Sequence, residues 1–443
     1  MPPPPDNLLA LSTRIAPASR WISDEQTHLS LAHLRTGWEF AGAIDTLCGS
    51  SVLIMTHRQL SAVMAALALD GIARRILLCP PDIDPAHIPS IVQQAEVDLI
   101  LTDDGRALDQ TLPSHPRETV TEWILFTSGT TGQPKMVAHT LASLSGPLDD
   151  GLHVPSGAVW STFYDVRRYG GLQILLRALL GGGSMVLSSA TEPVGEFVWR
   201  LSQSGVTHIS GTPSHWRRAL MSPALRQITP SYVRLSGEIA DQAILDHLRR
   251  AFPHASVDHA FASTEAGVAF DVRDGRAGFP ASYLDNPAMP AELRIIGDTL
   301  HIRSSRTASR YLGGALRGTE GFVDTGDLVV QSGDRCLFLG RKEGVINVGG
   351  AKVYPEEVEA IINRHPEVQM SRVWARKNPI TGAVVAADIL LQPGSTMSFG
   401  DVRASILRLC RDHLLPTHKV PFMLRPVTTL KITASGKLVR HEA

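Results

Sequence analysis

Long apolar runs are missing from this 443-residue chain, and that absence limits what it can be. No stretch approaches the roughly 20 apolar residues that a membrane-spanning helix needs. The most apolar segment, 174–187, is interrupted by Arg177 and by Gly181, Gly182 and Gly183. An excess of one charge is missing too, since 42 Lys and Arg against 43 Asp and Glu leave a formal net charge of −1. Such a balance gives no electrostatic pull toward nucleic acid or an anionic membrane, and neither is expected as a partner. The four cysteines (Cys48, Cys79, Cys336, Cys410) show no pair at metal-ligand spacing, which suits reduced, buried thiols in a cytoplasmic protein. The start, Met1-Pro2-Pro3-Pro4-Pro5-Asp6, has neither basic residues nor an apolar core. No secretory signal is expected, and residues 1–20 read as a loosely held leader.

What is present alternates. From Ser51 short β-branched runs take turns with helical stretches: Val52–Met55, Gln59–Asp70, Ile76–Leu78, Ile88–Ala95, Val97–Leu101. The alternation resumes at Ser184–Ser188, Glu196–Gly205, Thr207–Ser210, Ile239–Phe252 and Ser256–His259. Strands alternating with helices predict an α/β fold, with parallel-rich sheets covered by helices. Between about Leu293 and Val330 short β-like runs dominate, as in a small antiparallel subdomain. A new pattern follows, with a Gly-rich bend and an amphipathic helix at Pro355–Arg364, which suits a small α+β unit. The boundary is placed near Arg341, giving a large domain over 1–340 and a small one over 341–443.

One segment carries the most chemistry. The apolar run Trp123-Ile124-Leu125-Phe126 empties into Thr127-Ser128-Gly129-Thr130-Thr131-Gly132-Gln133-Pro134-Lys135. The glycines let main-chain N–H groups approach a ligand, the hydroxyls add donors, and Lys135 adds a point charge. Together these make a cradle for a polyphosphate. It is not a Walker loop, because Lys135 follows Pro134 and precedes Met136.

Four further segments stand downstream in order. They are Ser236-Gly237-Glu238 with His259-Ala260-Phe261-Ala262-Ser263-Thr264-Glu265, then Phe322-Val323-Asp324-Thr325-Gly326-Asp327, then Gly340-Arg341-Lys342-Glu343 running to Gly349-Gly350 and Glu359, and last Thr433-Ala434-Ser435-Gly436-Lys437-Leu438-Val439-Arg440. Phe261 offers an apolar face for a purine, Glu265 a hard oxygen ligand, and Asp327 a carboxylate able to accept both hydrogens of a diol. The set, spanning about 51 to 440, resembles the adenylate-forming superfamily of acyl- and aryl-CoA ligases, luciferases and peptide-synthetase adenylation domains.

That resemblance implies ATP, Mg²⁺ and CoA, or a carrier-protein phosphopantetheine, as cofactors, and a small carboxylic acid as substrate. It implies that Lys437 bridges the acid and the α-phosphate, that Glu265 holds Mg²⁺, and that Thr127–Lys135 holds the outer phosphates. Gly237, Glu238, Phe261, Ala262, Ser263, Thr264, Asp327 and Arg341 would bind the nucleotide. The acyl pocket would fall in 163–172, with Tyr164, Asp165, Tyr169 and Gly170. A hinge is implied at Glu343, and a thiol tunnel at Gly349 and Gly350. Aryl or small acyl acids are favoured, whereas an alternative reading makes Asp165 the grip for an amino acid's ammonium in an enzyme that loads a carrier protein. Arg167 and Arg168 read as surface charges. The sequence departs from the family pattern at Ala262, where glycine is usual, at Glu343, where Asp or Lys is usual, and at Met136. The loop begins early, at Thr127, which implies an abbreviated N-terminal region. Retention of Lys135, Glu265, Asp327, Arg341 and Lys437 speaks against a catalytically silent relative.

Overall fold

The structure is a computed structural model, and it describes residues 7–14, 19–31, 47–103, 105–106, 120–127, 133–149, 157–314, 316, 319–433 and 435–440. Strands Ser51–Ile54, Arg75–Leu78, Leu99–Thr102 and Glu122–Thr127 run parallel inside a seven-stranded sheet, with antiparallel strands at its edges. Successive side chains on a strand face opposite ways. Leu53, Leu77, Ile124 and Phe126 therefore pack on one face, and Val52, Ile54, Ile76, Leu78, Trp123 and Leu125 on the other. Both faces are apolar, as a covered parallel sheet demands.

A second sheet of eight strands has the same logic, with Trp21–Ser23, Ser184–Val186, Val159–Thr162, His208–Gly211, Tyr232–Ser236 and Ser256–Ser263 in parallel. Helix Tyr169–Gly181 lies between the two sheets, and its Leu172, Ile174, Leu175, Leu176 and Leu179 join a core with Trp123 of one and Trp160 of the other. Each such side chain contributes about 1.5–3 kcal/mol by leaving water. Gly182, at φ +88°, ends the helix in a left-handed turn. The outer face of the second sheet is covered by helices Val194–Gln203, Pro213–Ala219 and Gln242–Ala251.

The β-like runs after residue 279 form a five-stranded antiparallel sheet, with its own core of Phe270, Phe279, Leu293, Leu300, Ile302, Val329 and Cys336. Its strand Arg335–Arg341 leads into the short turn Lys342–Gly344. Beyond that turn, hairpin Ile346–Val348/Ala351–Val353, helices Pro355–Ile362 and Phe399–Asp412 and a three-stranded sheet share a separate core, drawn wholly from residues 346–424.

Two expectations change here. Leu8 is fully buried, and its N–H donates to Asp70 at 2.7 Å, so helix Leu8–Arg14 is held in the core rather than loosely tethered. Cys79, Cys336 and Cys410 are buried free thiols, but Cys48 is half-exposed. Among the described residues no helix is long and apolar enough to cross a membrane.

Candidate active site

The two motif-bearing strands beside the glycine loop form a hairpin. Thr127 and Lys135 face each other at its mouth, while Ser128, Gly129, Thr130, Thr131 and Gly132 lie outside the described residues. Strand Arg310–Tyr311 pairs with Lys135–His139 and brings Tyr311 to the same place. The Lys135 ammonium stands 5.5 Å from the centre of the Tyr311 ring. Thr127 and Tyr311 hydroxyls both donate to Oε1 of Glu265, at 3.4 and 3.3 Å. Burial and the adjacent Glu265 charge push the Tyr311 hydroxyl up to about 12. Glu265 itself is fixed through its backbone, because Ala308 N–H donates to its carbonyl and His139 Nε2 meets the Thr264 carbonyl at 2.7 Å. Beyond the Thr127 and Tyr311 hydroxyls, the Lys437 ammonium lies within electrostatic reach of Glu265, though no salt bridge to it forms among the described residues.

Asp327 and Arg341 are cross-strand partners in the antiparallel sheet, with carboxylate and guanidinium 3.7 Å apart. Thr325 Oγ1 accepts the Asp327 N–H and donates to the Leu300 carbonyl, which sets the turn. Burial raises the Asp327 carboxyl above its ordinary range, while Arg341 and Lys437 pull the other way. Phe261 lies against Phe270 on the paired strand and runs nearly parallel to Phe338, with ring centres 5.2 Å apart. It is half-buried, as are Ala262, Ser263 and Thr264.

The terminal signature reaches these residues. A tight turn closes from Thr433 to Lys437, where the Gly436 N–H donates to the Thr433 carbonyl and the Lys437 N–H to Thr433 Oγ1. Gly436 adopts φ +77°, and a Cβ there would lie 1.8 Å from the His215 ring, so glycine is required twice over. Thr212 Oγ1 donates to the Gly436 carbonyl at 2.6 Å. The Leu438 N–H donates to Glu238, whose oxygens also take the N–H and hydroxyl of Ser214. Lys437 is thereby set beside Gly237, its Cε 3.5 Å from where a Cβ on that glycine would sit. The surrounding protein lowers the Lys437 ammonium's pKa, with Arg341 adding to the shift, while Glu238, Asp327 and Glu265 oppose it. One ammonium thus stands within electrostatic reach of all three carboxylates.

Thr212, Ser214 and His215 were not singled out by the sequence. The signal was there: Thr212 caps helix Pro213–Ala219 with Pro at its first position, and a capped helix start aims its free N–H groups at a neighbour.

The segment 163–172 divides. Tyr164 lies on the cleft side, its hydroxyl donating to the Ser236 carbonyl at 2.8 Å and its ring edge-on to His215, and Gly170 packs against that ring. Tyr169 is buried, and its hydroxyl accepts the Val268 N–H. Arg167 is not a surface charge: it is 1% exposed, grips both oxygens of Asp165 and donates to the Thr56 carbonyl. Its partners come from two residues away and from a strand end 111 positions upstream, which removes it from water without leaving it unpaired. Arg168, half-buried, pairs with Asp82. Asp165 is consequently committed to Arg167 and is not a free grip for an ammonium.

Glu343 is exposed in the turn Lys342–Gly344. Gly349 and Gly350, at φ +58° and +88°, form the tip of the hairpin, where the Gly349 N–H donates to the Thr381 carbonyl and the Gly350 N–H to Asn347 Oδ1.

Residues 112–301 match the AMP-binding enzyme family and residues 357–437 its C-terminal domain, together more than half of the chain. The chain is 27% identical over 349 residues to a 2-succinylbenzoate–CoA ligase of Geobacillus kaustophilus, covering 72% of this chain and 68% of that one. It is 27% identical over 357 residues to a salicylyl-CoA synthase / salicylate adenylyltransferase of Streptomyces, covering 71% of this chain and 61% of that one. The fold matches that of an anthranilate CoA ligase, AuaEII, solved with anthranoyl-AMP, at a TM-score of 0.81, 17% identity, and coverage of 98% and 95%.

Proposed function

Because the chain belongs to the AMP-binding, adenylate-forming enzyme family, we propose that it activates a small carboxylic acid, an aryl acid foremost, and passes it to the thiol of CoA. In the first step a carboxylate oxygen bonds to the α-phosphorus of ATP and pyrophosphate leaves. In the second a thiolate bonds to the acyl carbon and AMP leaves. The observation that carries this reading is the placement of Lys437, held in the cleft by Thr212 and Glu238 and facing Asp327, Arg341 and Glu265.

The first step brings two anions together, so it needs fixed positive charge and alignment. Lys437 supplies charge where the carboxylate meets the α-phosphate. Lys135 and the loop from Thr127 hold the leaving pyrophosphate. Asp327 accepts from the ribose hydroxyls, Arg341 orients that carboxylate, and Phe261 flanks the base. Glu265, a carboxylate with no salt bridge among the described residues, suits a hard divalent cation, and Mg²⁺ bound there would shield the phosphates. The second step calls for Lys437 to withdraw and the Gly349–Gly350 hairpin to approach. Rotation of 341–443 about the exposed turn at Glu343 would do both.

The aryl preference draws on the 2-succinylbenzoate and salicylate relatives and on the ring-lined wall of Phe163, Tyr164 and His215. Loading of an amino acid has less support, since Asp165 is spent on Arg167. The test is ATP–pyrophosphate exchange across a panel of carboxylic acids, followed by discharge of the adenylate with free CoA or with a pantetheinylated carrier protein. Exchange with an aryl acid and discharge by CoA is the expected result. No exchange with any acid would overturn the reading, and discharge by the carrier protein alone would reassign the acceptor.

A further inference from the structure

Glu356 stands at the seam where helix Pro355–Ile362 of the C-terminal unit meets strand Arg335–Arg341. Three glutamates on this helix have different fates. Glu357 pairs with Lys419 at 2.7 Å. Glu359 takes both terminal nitrogens of Arg440, at 2.8 and 2.9 Å, and the Val373 N–H at 2.7 Å. Glu356 forms an ion pair with Nε of Arg440, Oε1 at 3.1 Å, and takes a backbone N–H of its own segment. Its Oε2 is buried and, among the described residues, has no hydrogen-bond partner. That oxygen lies 2.3 Å from where a Cβ on Gly340 would be, and Gly340 has φ +137°. A glycine in a conformation that side chains avoid thus leaves room for a carboxyl group from the other domain.

A buried carboxylate with one bare oxygen is costly, and like charges nearby make it costlier. Glu359 from its own helix and Asp327 from the neighbouring strand face Glu356, and Arg440 from the terminal segment is the cation that opposes them. A proton on Oε2 would relieve both penalties while leaving Oε1 with Arg440. Rotation of the C-terminal unit away from Gly340 would relieve them by returning the group to water. Arg440 lies three residues from Lys437, so the seam and that lysine's turn move together.

We propose that Glu356 is a positioning residue for the adenylation step: its protonated form fits the docked seam, and its ionisation favours the rotated arrangement in which Lys437 leaves the cleft. This rests on the two-step reading above. Burial first, then Glu359 and Asp327, raise the docked carboxyl from 4.5 to about 7, against the pull of Arg440. Docking therefore takes up a proton. Its advantage is complete below the ordinary carboxylate value and is lost as pH rises through about 7. Between pH 6 and pH 9 the ratio of docked to rotated molecules should fall by about tenfold.

The experiment measures pyrophosphate exchange and thiol transfer from supplied acyl-adenylate separately, from pH 6 to 9, on the full chain and on Glu356→Gln. Glutamine keeps the shape and cannot ionise. The ratio of the two rates should fall about tenfold more in the parent than in the variant. Small-angle X-ray scattering without substrate should show the parent opening with pH and the variant not. Parallel pH dependence of parent and variant in both measurements would overturn the proposal. Absence of exchange in the parent at every pH would instead sink the two-step reading, and scattering alone would then decide the role of Glu356.

Discussion

The main-chain N–H of Leu438 donates to the carboxylate of Glu238 at 2.8 Å, across 200 positions of sequence. Glu238 also holds the start of helix Pro213–Ala219 through Ser214, so one carboxylate clasps the turn that carries Lys437 to the large domain. Hydrogen bonds to a charged acceptor contribute about 1.5–3 kcal/mol. Replacing Glu238 with alanine should slow acid-dependent pyrophosphate exchange roughly 10- to 100-fold. Thiol transfer from supplied acyl-adenylate should change far less. Equal loss in both half-reactions would make Glu238 a substrate contact and not a clasp.

For Lys437→Ala the expected loss is larger and equally one-sided. Removing a preorganised charge at developing transition-state charge costs about 10²–10³ in rate. Exchange should fall by that factor, and thiolysis of the adenylate should survive. Ordinary exchange in the variant would remove Lys437 from the mechanism.

Asp327→Ala deletes a charged acceptor and leaves Arg341 without the carboxylate 3.7 Å away. The expected cost is about 2–4 kcal/mol, or roughly 30- to 1,000-fold in kcat/KM for ATP. A ribose contact predicts that 2′-deoxy-ATP discriminates less in the variant than in the parent. Unchanged kinetics with ATP would leave Asp327 as a turn residue.

Arg167→Met tests structure rather than chemistry. It strands Asp165 and a buried carbonyl at Thr56, a break worth about 3–5 kcal/mol for a buried pair. The urea midpoint should drop accordingly. The double variant Asp165→Ala/Arg167→Met should lose less than the two single losses added together. Simple additivity would show that the pair does not act as a unit.

How much of this was legible in the sequence differs by residue. The alternation of apolar faces at Val52–Ile54 and Trp123–Phe126 announces a covered parallel sheet because strand geometry is local. The motif residues Glu265, Asp327 and Arg341, from separate segments, lie within electrostatic reach of Lys437. Arg167 escaped because its environment is not local: Asp165 is near in sequence, but the Thr56 carbonyl that completes its burial is not. Thr212 and His215 escaped for the same reason, since their partner is Gly436, more than 200 residues away. Tyr311 became visible only when its strand paired beside Lys135. Composition cannot show which carboxylates are already spent, and Asp165 and Glu238 both are.

Among the described residues, the apolar clusters of the large domain stop at Phe338 and that of the C-terminal unit begins at Ile346. Hydrogen bonds and an ion pair tie the two together: Thr212 to Gly436, Glu238 to Leu438, Asp241 to Asn363, Asp298 to Lys352. Heat capacity follows the surface exposed, so swinging the small unit should carry a far smaller ΔCp than unfolding either unit would. The enthalpy of the swing would then change little with temperature, and its balance would follow a nearly straight van't Hoff line. Calorimetry could separate the two events by that signature alone.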